Sequence, residues 1–543
     1  MKIKSLTIIF CIILLNNAYP QVTKEWVQIY GGPGNDLDKV NALAADDSGN
    51  VFVTGYSEGI GTFADITTIK YNSSGNQQWI QRYNGAGNFS DYANAIASDD
   101  SGNVYITGIS LVPGTSFDIA TIKYNTSGIQ QWIRFYSGQG ISTDEAYAIV
   151  LDKFRNVYIT GRSTDSSGQN NDFITVKYNS SGLQLWSQRY NGTADSTDEA
   201  AAIAVDGSGN VFITGKSKGT GSSYDYLTVK YDSSGIQKWI QRYNGPGNNW
   251  DWATSIGTDD SGNVYVTGLS VGLTTDYDFA TIKYNSSGVQ QWIQRYNGPA
   301  NGFDYSRSLK CDRQGNIYVT GESTGSGLNF DYVTIKYNSS GVQKWIQRYN
   351  SPANSSDISY SISLDSSSNV YVTGGSFLGL SYDCTTIKYD SSGVQKWIQH
   401  YNSPDNETDY GYSVATDDKG NVYVGGGSVR SGVNYDYLTI RYSQSTGIIQ
   451  SSISIPEKFS LSQNYPNPFN PFTTIKFQIS KTSHVNILVL DILGREIETI
   501  ANERMNPGTY EVHFDGSRLA SGAYFYKLEA DDYSEIRKMI MTK

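Results

Sequence analysis

Short runs of β-branched and aromatic residues alternate with clusters of Asn, Asp, Ser and Gly along most of the chain. In a typical stretch, Val264-Tyr-Val-Thr-Gly268 is followed by a variable loop and by the run Tyr277-Asp-Phe-Ala-Thr-Ile-Lys-Tyr284. The turn Asn285-Ser-Ser-Gly288 then leads into Trp292-Ile-Gln-Arg-Tyr296. Such runs predict antiparallel strands joined by tight turns. Because the repeats contain no long apolar pattern of helical period, we expect an all-β fold.

A tryptophan marks a unit that recurs at intervals of 52 to 54 residues, at Trp26, Trp79, Trp132, Trp186, Trp239, Trp292, Trp345 and Trp397. A period of this length is typical of β-propellers and related arrays. Each unit contains four predicted strands, which is the number of strands in one propeller blade. The first strand is rich in small residues, as in Ala200-Ala-Ala-Ile-Ala204, and therefore suits the crowded innermost position of a blade.

The strand count predicts a closed ring. The strand that carries the tryptophan occurs eight times, starting at Trp26, and the other three strands also occur eight times, ending near Tyr442. Pairing of Trp26-Val-Gln-Ile-Tyr30 with the strand at residues 436–442 would remove two open sheet edges. We therefore expect an eight-bladed β-propeller that is closed by an N-terminal outer strand. The alternative is an open β-solenoid, which would leave the N-terminal strand exposed.

The unit Asp-x-x-Gly-Asn-Val-Tyr-Val-Thr-Gly, as at residues 259–268, resembles the SBBP-type β-propeller repeats of bacterial exported proteins. The resemblance covers roughly residues 25–447. It implies a propeller fold and says little about activity, because propellers host many unrelated functions.

The N-terminal residues predict export. Lys2 and Lys4 precede a short apolar run at residues 6–15 and a polar exit at residues 16–21, which is the pattern of a secretory signal peptide. The apolar run is shorter than the roughly 20 residues that span a bilayer. We expect residues 1–21 to be removed and the mature chain to contain no transmembrane segment.

A change of composition near Ile455 predicts a second domain. We assign residues 22–447 to the propeller, 448–455 to a linker and 456–543 to a small Ig-like β-sandwich. The segments Tyr465-Pro-Asn-Pro-Phe-Asn-Pro471, Asp491-Ile-Leu-Gly-Arg495 and Leu519-Ala-Ser-Gly-Ala-Tyr-Phe525 resemble the type A C-terminal sorting domain of the type IX secretion system. The resemblance implies recognition by the type IX machinery and a secreted or outer cell-surface location. An ordinary Ig-like accessory domain is the alternative.

Composition narrows the function classes. The formal net charge of −11 argues against nucleic acid as a partner, because phosphate binding needs clustered Lys and Arg. Beyond the signal peptide, Cys311 and Cys384 occupy different positions in different repeats, which is unlike a disulfide framework.

No catalytic constellation is apparent in the sequence, and we expect a protein that is not an enzyme. The three histidines, His400, His484 and His513, form no zinc-binding pattern. Neither a nucleophile elbow nor a phosphate-binding loop occurs. We predict no catalytic residues, no metal ligands and no cofactor, with calcium binding left open.

Aspartates recur at the start of each first strand and form a candidate ring at the channel mouth: Asp38, Asp91, Asp144, Asp198, Asp251, Asp304, Asp357 and Asp409. Such a ring would need a cation, protons or hydrogen bonds to offset repulsion. The favoured interpretation is structural, with each carboxylate accepting backbone N–H bonds in its own loop. A second set of aspartates precedes the third strand, and each has a possible partner five residues later, such as Lys283 after Asp278. These two residues would face opposite sides of one strand, so any pairing would be between blades.

The fifth repeat carries the candidate ligand-binding residues Asn249, Trp250, Asp251 and Trp252. Trp250 and Trp252 are the only tryptophans outside the repeated phrase, and an aromatic pair can stack on a sugar ring or a peptide side chain. Packing under the loop is the other interpretation.

Two functional hypotheses follow. The leading one is an exported or cell-surface, non-catalytic binding or scaffold protein, whose ligand would be extracellular polysaccharide or another surface protein. The alternative is an extracellular polysaccharide hydrolase or lyase that uses carboxylates such as those of Asp144-Glu145 and Asp198-Glu199. Adjacent strand residues point to opposite faces, which lowers the case for such catalysis. A structural spacer without a specific ligand is a third hypothesis.

Overall fold

The computed structural model describes residues 22–542 except 35, 113, 115, 139–142, 431–433, 445–448, 453 and 517–518. The expected signal peptide therefore lies outside the described residues. The chain divides into two compact units, a larger one of residues 24–443 and a smaller one that contains residues 444–543. All secondary-structure elements of the described residues are strands, which are numbered β1 to β40 along the chain. Accordingly, this part of the chain has no helix capable of crossing a membrane.

The larger unit consists of eight four-stranded sheets, which we number 1 to 8 in chain order. The first strands of sheets 1 to 8 are β2 (Asp38–Ala45), β6 (Tyr92–Ser98), β10 (Asp144–Leu151), β14 (Asp198–Val205), β18 (Asp251–Thr258), β22 (Asp304–Cys311), β26 (Asp357–Leu364) and β30 (Asp409–Thr416). The second strands are β3 (Val51–Glu58), β7 (Val104–Leu111), β11 (Val157–Thr164), β15 (Val211–Lys218), β19 (Val264–Val271), β23 (Ile317–Thr324), β27 (Val370–Phe377) and β31 (Val422–Val429).

The third strands are β4 (Ala64–Tyr71), β8 (Phe117–Tyr124), β12 (Asn171–Tyr178), β16 (Tyr224–Tyr231), β20 (Tyr277–Tyr284), β24 (Phe330–Tyr337), β28 (Tyr382–Tyr389) and β32 (Tyr435–Gln444). The fourth strands of sheets 1 to 7 are β5 (Gln77–Tyr83), β9 (Gln130–Tyr136), β13 (Gln184–Tyr190), β17 (Gln237–Tyr243), β21 (Gln290–Tyr296), β25 (Gln343–Tyr349) and β29 (Gln395–Tyr401). Strand β1 (Val22–Tyr30) takes the fourth place in sheet 8, next to β32. These repeated sheets are consistent with β-propeller repeats.

The second and third strands are buried on both faces because adjacent sheets cover them. Between sheets 4 and 5, for example, Phe212 and Tyr226 pack with Val264, Val266 and Ile282 in one apolar cluster. Burial on both faces explains why these strands have nearly continuous runs of β-branched and aromatic residues.

Hydrogen bonds also join neighbouring sheets, including the last sheet and the first. The Trp239 indole N–H donates to the Ser286 carbonyl of the next sheet at 3.2 Å. In sheet 8, Trp26 of β1 makes the equivalent bond to Ser73 of sheet 1 at 3.1 Å. The Tyr437 hydroxyl also donates to the Thr67 carbonyl at 3.0 Å.

A β-bulge shapes every first strand. In sheet 5, Ala253 pairs with Gly268 and Ser255 pairs with Thr267, so Thr254 is the extra residue. A Cβ atom on Gly268 would overlap the carbonyl oxygen of Trp252, which explains the glycine opposite the bulge. Bulges change the direction of side chains. In each first strand the bulge lies close to the residue that follows the aspartate.

The smaller unit contains two four-stranded sheets of order β33-β38-β35-β34 and β37-β36-β39-β40. Their strands are β33 (Ile449–Ser452), β34 (Ser460–Leu461), β35 (Phe472–Ile479), β36 (Ser483–Leu490), β37 (Glu496–Met505), β38 (Gly508–Asp515), β39 (Gly522–Ala530) and β40 (Tyr533–Met541). Buried residues of both sheets, such as Phe477, Val485 and Tyr526, form one core. Strand β33 pairs with β38, so residues 449–452 belong to this unit rather than to the linker expected at 448–455.

Candidate functional site

The aspartates of the candidate ring are buried inside their own sheets. In sheet 5, the Gly245 backbone N–H donates to Asp251 at 2.6 Å. The equivalent bonds in the other sheets run from Gly32 to Asp38, Gly85 to Asp91, Gly138 to Asp144, Gly192 to Asp198, Gly298 to Asp304, Ser351 to Asp357 and Ser403 to Asp409. These are the bonds that the structural interpretation expects. Among the described residues, no group of three or more His, Cys, Asp or Glu side chains is placed to hold a metal ion.

The second set of aspartates is held by arginine rather than by lysine. In sheet 5, the Arg295 guanidinium bonds Asp278 at 2.7 Å and also the Ser270 hydroxyl at 2.6 Å. The same ion pair joins Arg82 to Asp65, Arg189 to Asp172, Arg242 to Asp225 and Arg348 to Asp331. The expectation for Lys283 was wrong, because its ammonium donates to the Ser339 carbonyl of the next sheet at 2.8 Å. Each of these sheets therefore contains a buried row of Asp, Ser, Asp and Arg, which we call the arginine row.

Three sheets lack this arginine, because Phe135, His400 and Ile29 occupy its position in sheets 2, 7 and 8. In these sheets the first-strand aspartate has the buried serine hydroxyl of the row as a hydrogen-bond partner, at Ser110, Ser376 and Ser428 respectively, without the guanidinium. The His400 ring bonds Thr385 at 2.8 Å instead, and burial lowers its pKa.

The carboxylates beside the missing arginines have raised pKa values. Burial, and then the charge of Asp409, raises the pKa of Asp383 to about 6. Burial also raises the pKa of Asp357 and of Asp409 to about 6. Asp251, whose sheet has the arginine, has the same value, so burial is the cause that these carboxylates share.

The candidate residues of the fifth repeat meet two side chains of sheet 4. The Trp250 ring is 40% exposed and contacts Tyr224 edge-to-face, with 4.9 Å between the ring centroids. The Lys216 ammonium lies 4.3 Å from the Trp252 ring centroid. Asn249 is exposed and accepts the Trp250 N–H at 2.9 Å. The structure thus brings the two tryptophans to one surface, whereas Asp251 is buried below it.

Charged residues continue this surface across sheets 3 and 4. Arg162 bonds Glu145 at 3.0 Å and approaches Glu199 at 3.6 Å, and Lys216 bonds Glu199 at 2.8 Å. The two glutamates are therefore held by cations. The chain of charges ends at Lys216, which is the cation over Trp252.

A tyrosine cluster, which the sequence analysis missed, lies on sheets 7 and 8 and comprises Tyr360, Tyr382, Tyr410, Tyr412 and Tyr435. The Tyr410 ring is central, with centroids 5.2 Å from Tyr382 and 5.7 Å from Tyr412. Tyr360 and Tyr412 are bulge residues. The sequence contains a signal for this cluster, because Gly375 and Gly427 occupy a position at which the other repeats have larger side chains.

Family models match both parts of the chain. Residues 463–542 match the secretion system C-terminal sorting domain. Five segments, at residues 25–61, 185–221, 238–273, 291–329 and 396–428, match the β-propeller repeat. Both resemblances drawn from the sequence motifs are therefore confirmed, and the sorting domain indicates export to the cell surface or beyond. No curated protein matches the chain in sequence.

Solved structures that match the chain are distant in sequence. A fungal alcohol oxidase of the AA5 family is 11% identical, with 82% of this chain and 96% of that chain covered at a TM-score of 0.37. The periplasmic gluconolactonase PpgL of Pseudomonas aeruginosa is 10% identical, with coverages of 67% and 95% at a TM-score of 0.40. The β-propeller domain of the trilobed protease from Pyrococcus furiosus is 9% identical, with coverages of 65% and 95% at a TM-score of 0.39.

Proposed function

Because this chain carries β-propeller repeats and a type IX C-terminal sorting domain, we propose that it is an exported, non-catalytic binding protein. Residues 1–21 act as its signal peptide, and the sorting domain, an Ig-like β-sandwich, then passes the chain to the type IX machinery. The eight sheets form one closed propeller. Support for closure comes from β1, which lies in sheet 8, and from the bonds of Trp26 and Tyr437 to sheet 1.

The contrast between constant and variable positions carries the proposal. The first-strand aspartate makes the same backbone bond in every sheet. The residue that follows it is one of five types: Lys39, Tyr92, Glu145, Glu199, Trp252, Tyr305, Ile358 and Tyr410. A frame that is repeated while one surface varies is expected of a scaffold that presents a binding site.

The ligand class that fits best is extracellular polysaccharide. The variable surface combines aromatic rings with charged and hydroxyl groups, which is the combination that recognises sugars by stacking and hydrogen bonding. The carboxylates of Glu145 and Glu199, which a hydrolase or lyase would need, are instead tied to Arg162 and Lys216.

Binding of the purified full chain to an array of soluble glycans tests the proposal, with calcium and with a chelator in parallel. We expect selective glycan binding without release of reducing ends. Release of reducing ends from any bound glycan would contradict the non-catalytic function and favour the alternative, a polysaccharide hydrolase. Binding that the chelator abolishes would assign calcium a role.

Secretion is tested separately. Deletion of residues 463–542 is expected to leave the chain inside the outer membrane of a host that has the type IX system, because the sorting domain is its address. The outcome is measured by immunoblotting of the medium, the cell surface and the periplasm. Equal surface amounts of the full and the truncated chain would contradict this role.

A further inference from the structure

We infer that the tyrosine cluster of sheets 7 and 8 is a subsite for an uncharged pyranose ring of a glycan. The inference rests on the proposed binding function and makes it more specific. It moves the sugar contact from the tryptophan pair of sheet 5 to sheets 7 and 8, and it specifies the charge state of the sugar.

The backbone is adapted to hold these rings. A Cβ atom on Gly375 would overlap the ring of Tyr410, and a Cβ atom on Gly427 would lie 3.0 Å from the ring of Tyr435. In sheet 5 the position equivalent to Gly375 is Leu269, opposite Trp252 in the pairing register. The backbone therefore accepts a side chain at this position, and the glycines of sheets 7 and 8 leave that space to the tyrosine rings.

The five tyrosines are part-exposed, so each of them presents some surface to solvent. Burial raises the pKa of Tyr410 and of Tyr412 and keeps these phenols protonated. They can therefore donate hydrogen bonds as well as accept them. A phenol that presents both an apolar ring and a hydroxyl suits a sugar, which has a C–H face and equatorial hydroxyl groups.

A cationic ligand is disfavoured because cations of the protein already lie over these rings. The Lys39 ammonium is 4.6 Å from the Tyr412 ring centroid, and the Arg307 guanidinium carbon is 5.9 Å from the Tyr360 ring centroid. Arg307 is itself bound to Glu322 at 2.5 Å. A second cation would meet repulsion where the electron-rich ring faces would otherwise attract it.

An anionic ligand is disfavoured by the carboxylates beneath the cluster. Asp383, Asp409 and Asp436 lie in sheets 7 and 8, whose rows lack arginine. Burial, and then the charge of Asp409, raises the pKa of Tyr435, which shows that this carboxylate acts at the cluster. Lys39 offsets only part of this negative charge. An uncharged, polyhydroxylated ring is the ligand that avoids both penalties.

Calorimetric titration of the full chain tests the inference. The probes are neutral gluco-, manno-, xylo- and galacto-oligosaccharides, and oligogalacturonate as the charged sugar. The variants are Tyr410→Ala and Gly375→Leu, of which the second copies the residue of sheet 5 and displaces the Tyr410 ring. Phe154→Ala is the control, because Phe154 is an exposed aromatic residue in the turn between β10 and β11, outside the variable surface.

We expect a neutral oligosaccharide to bind, and both cluster variants to weaken binding at least about tenfold, or about 1.4 kcal/mol, with Phe154→Ala unchanged. Tighter binding of oligogalacturonate than of every neutral probe would overturn the charge assignment. Neutral binding that only Trp252→Ala abolishes would overturn the site and leave the proposed function standing. No binding of any glycan would overturn both.

Discussion

Sheets 5 and 6 and sheets 7 and 8 contain the same buried row of polar residues, yet only the first two complete it with arginine. In sheet 6, Arg348 bonds Asp331, the Ser323 hydroxyl and the Tyr296 hydroxyl of the preceding sheet. In sheet 7, His400 replaces this arginine, and the Ser376 hydroxyl contacts Asp357 and the Tyr349 hydroxyl of the preceding sheet without a guanidinium beside them. The difference teaches that the row forms without its cation in the sheets that carry the tyrosine cluster.

The largest expected effect comes from removing the arginine where it is present. Arg348→Ala leaves the buried Asp331 carboxylate unpaired, and we expect it to lower the free energy of unfolding by about 3–5 kcal/mol. Urea denaturation measures this loss. Arg313→Ala, at an exposed position, is the control and should change stability little. A loss below about 1 kcal/mol for Arg348→Ala would mean that the two kinds of sheet do not differ in this way.

The converse substitution should produce a smaller gain. His400→Arg supplies the missing cation to Asp383 and donors to the hydroxyls of Ser376 and Tyr349. We expect it to raise the free energy of unfolding by about 1–2 kcal/mol, measured by the same denaturation. His484→Arg, in the smaller unit, serves as the control. Destabilisation by His400→Arg would show that sheet 7 has repacked around histidine.

The smallest effect, taken per residue, is a dependence on pH. Because Asp357, Asp383 and Asp409 have pKa values of about 6 in the folded chain, above the value of about 3.9 when unfolded, the folded state binds more protons between these values. Stability should therefore fall as the pH rises from about 5 to about 7.5, by about 1.4 kcal/mol for each carboxyl.

Denaturation at pH 5 and at pH 7.5 measures this dependence. His400→Arg should reduce the difference between the two values, because a nearby guanidinium lowers the pKa of Asp383. An unchanged difference in this variant would assign the pH dependence to groups outside sheet 7.

The strands could be predicted from the sequence because eight repeats present the same pattern, and each turn residue is seen several times. The short strand β33 was missed because residues 449–452 belong to no repeat and carry no alternating pattern long enough to indicate a strand. Its pairing with β38 depends on a contact with residues about 60 positions away, which no local pattern reveals.

The candidate site was harder to predict. Asp278 and Lys283 are close in sequence, which favoured them as partners, but Arg295, which is 17 residues away, reaches the aspartate across the pairing of β20 with β21. The tyrosine cluster depends on bulges at Tyr360 and Tyr412, and an extra residue in one strand is visible only once the register is known. The glycine at position 375 was the local signal that could have found it.

The sharing of sheet 8 between β1 and the strands β30 to β32 imposes an order on folding. Glu25 and Ser443, which hydrogen-bond within this sheet, are 418 residues apart. The entropy of closing so long a loop exceeds that of a hairpin by only roughly 3 kcal/mol, since each doubling of length adds about 0.6 kcal/mol. The larger effect is on the folding rate, because contacts between such distant residues form slowly. If the chain folds from its N-terminus, seven sheets would form while β1 is still unpaired. Only when β32 is available would β1 pair and sheet 8 be complete.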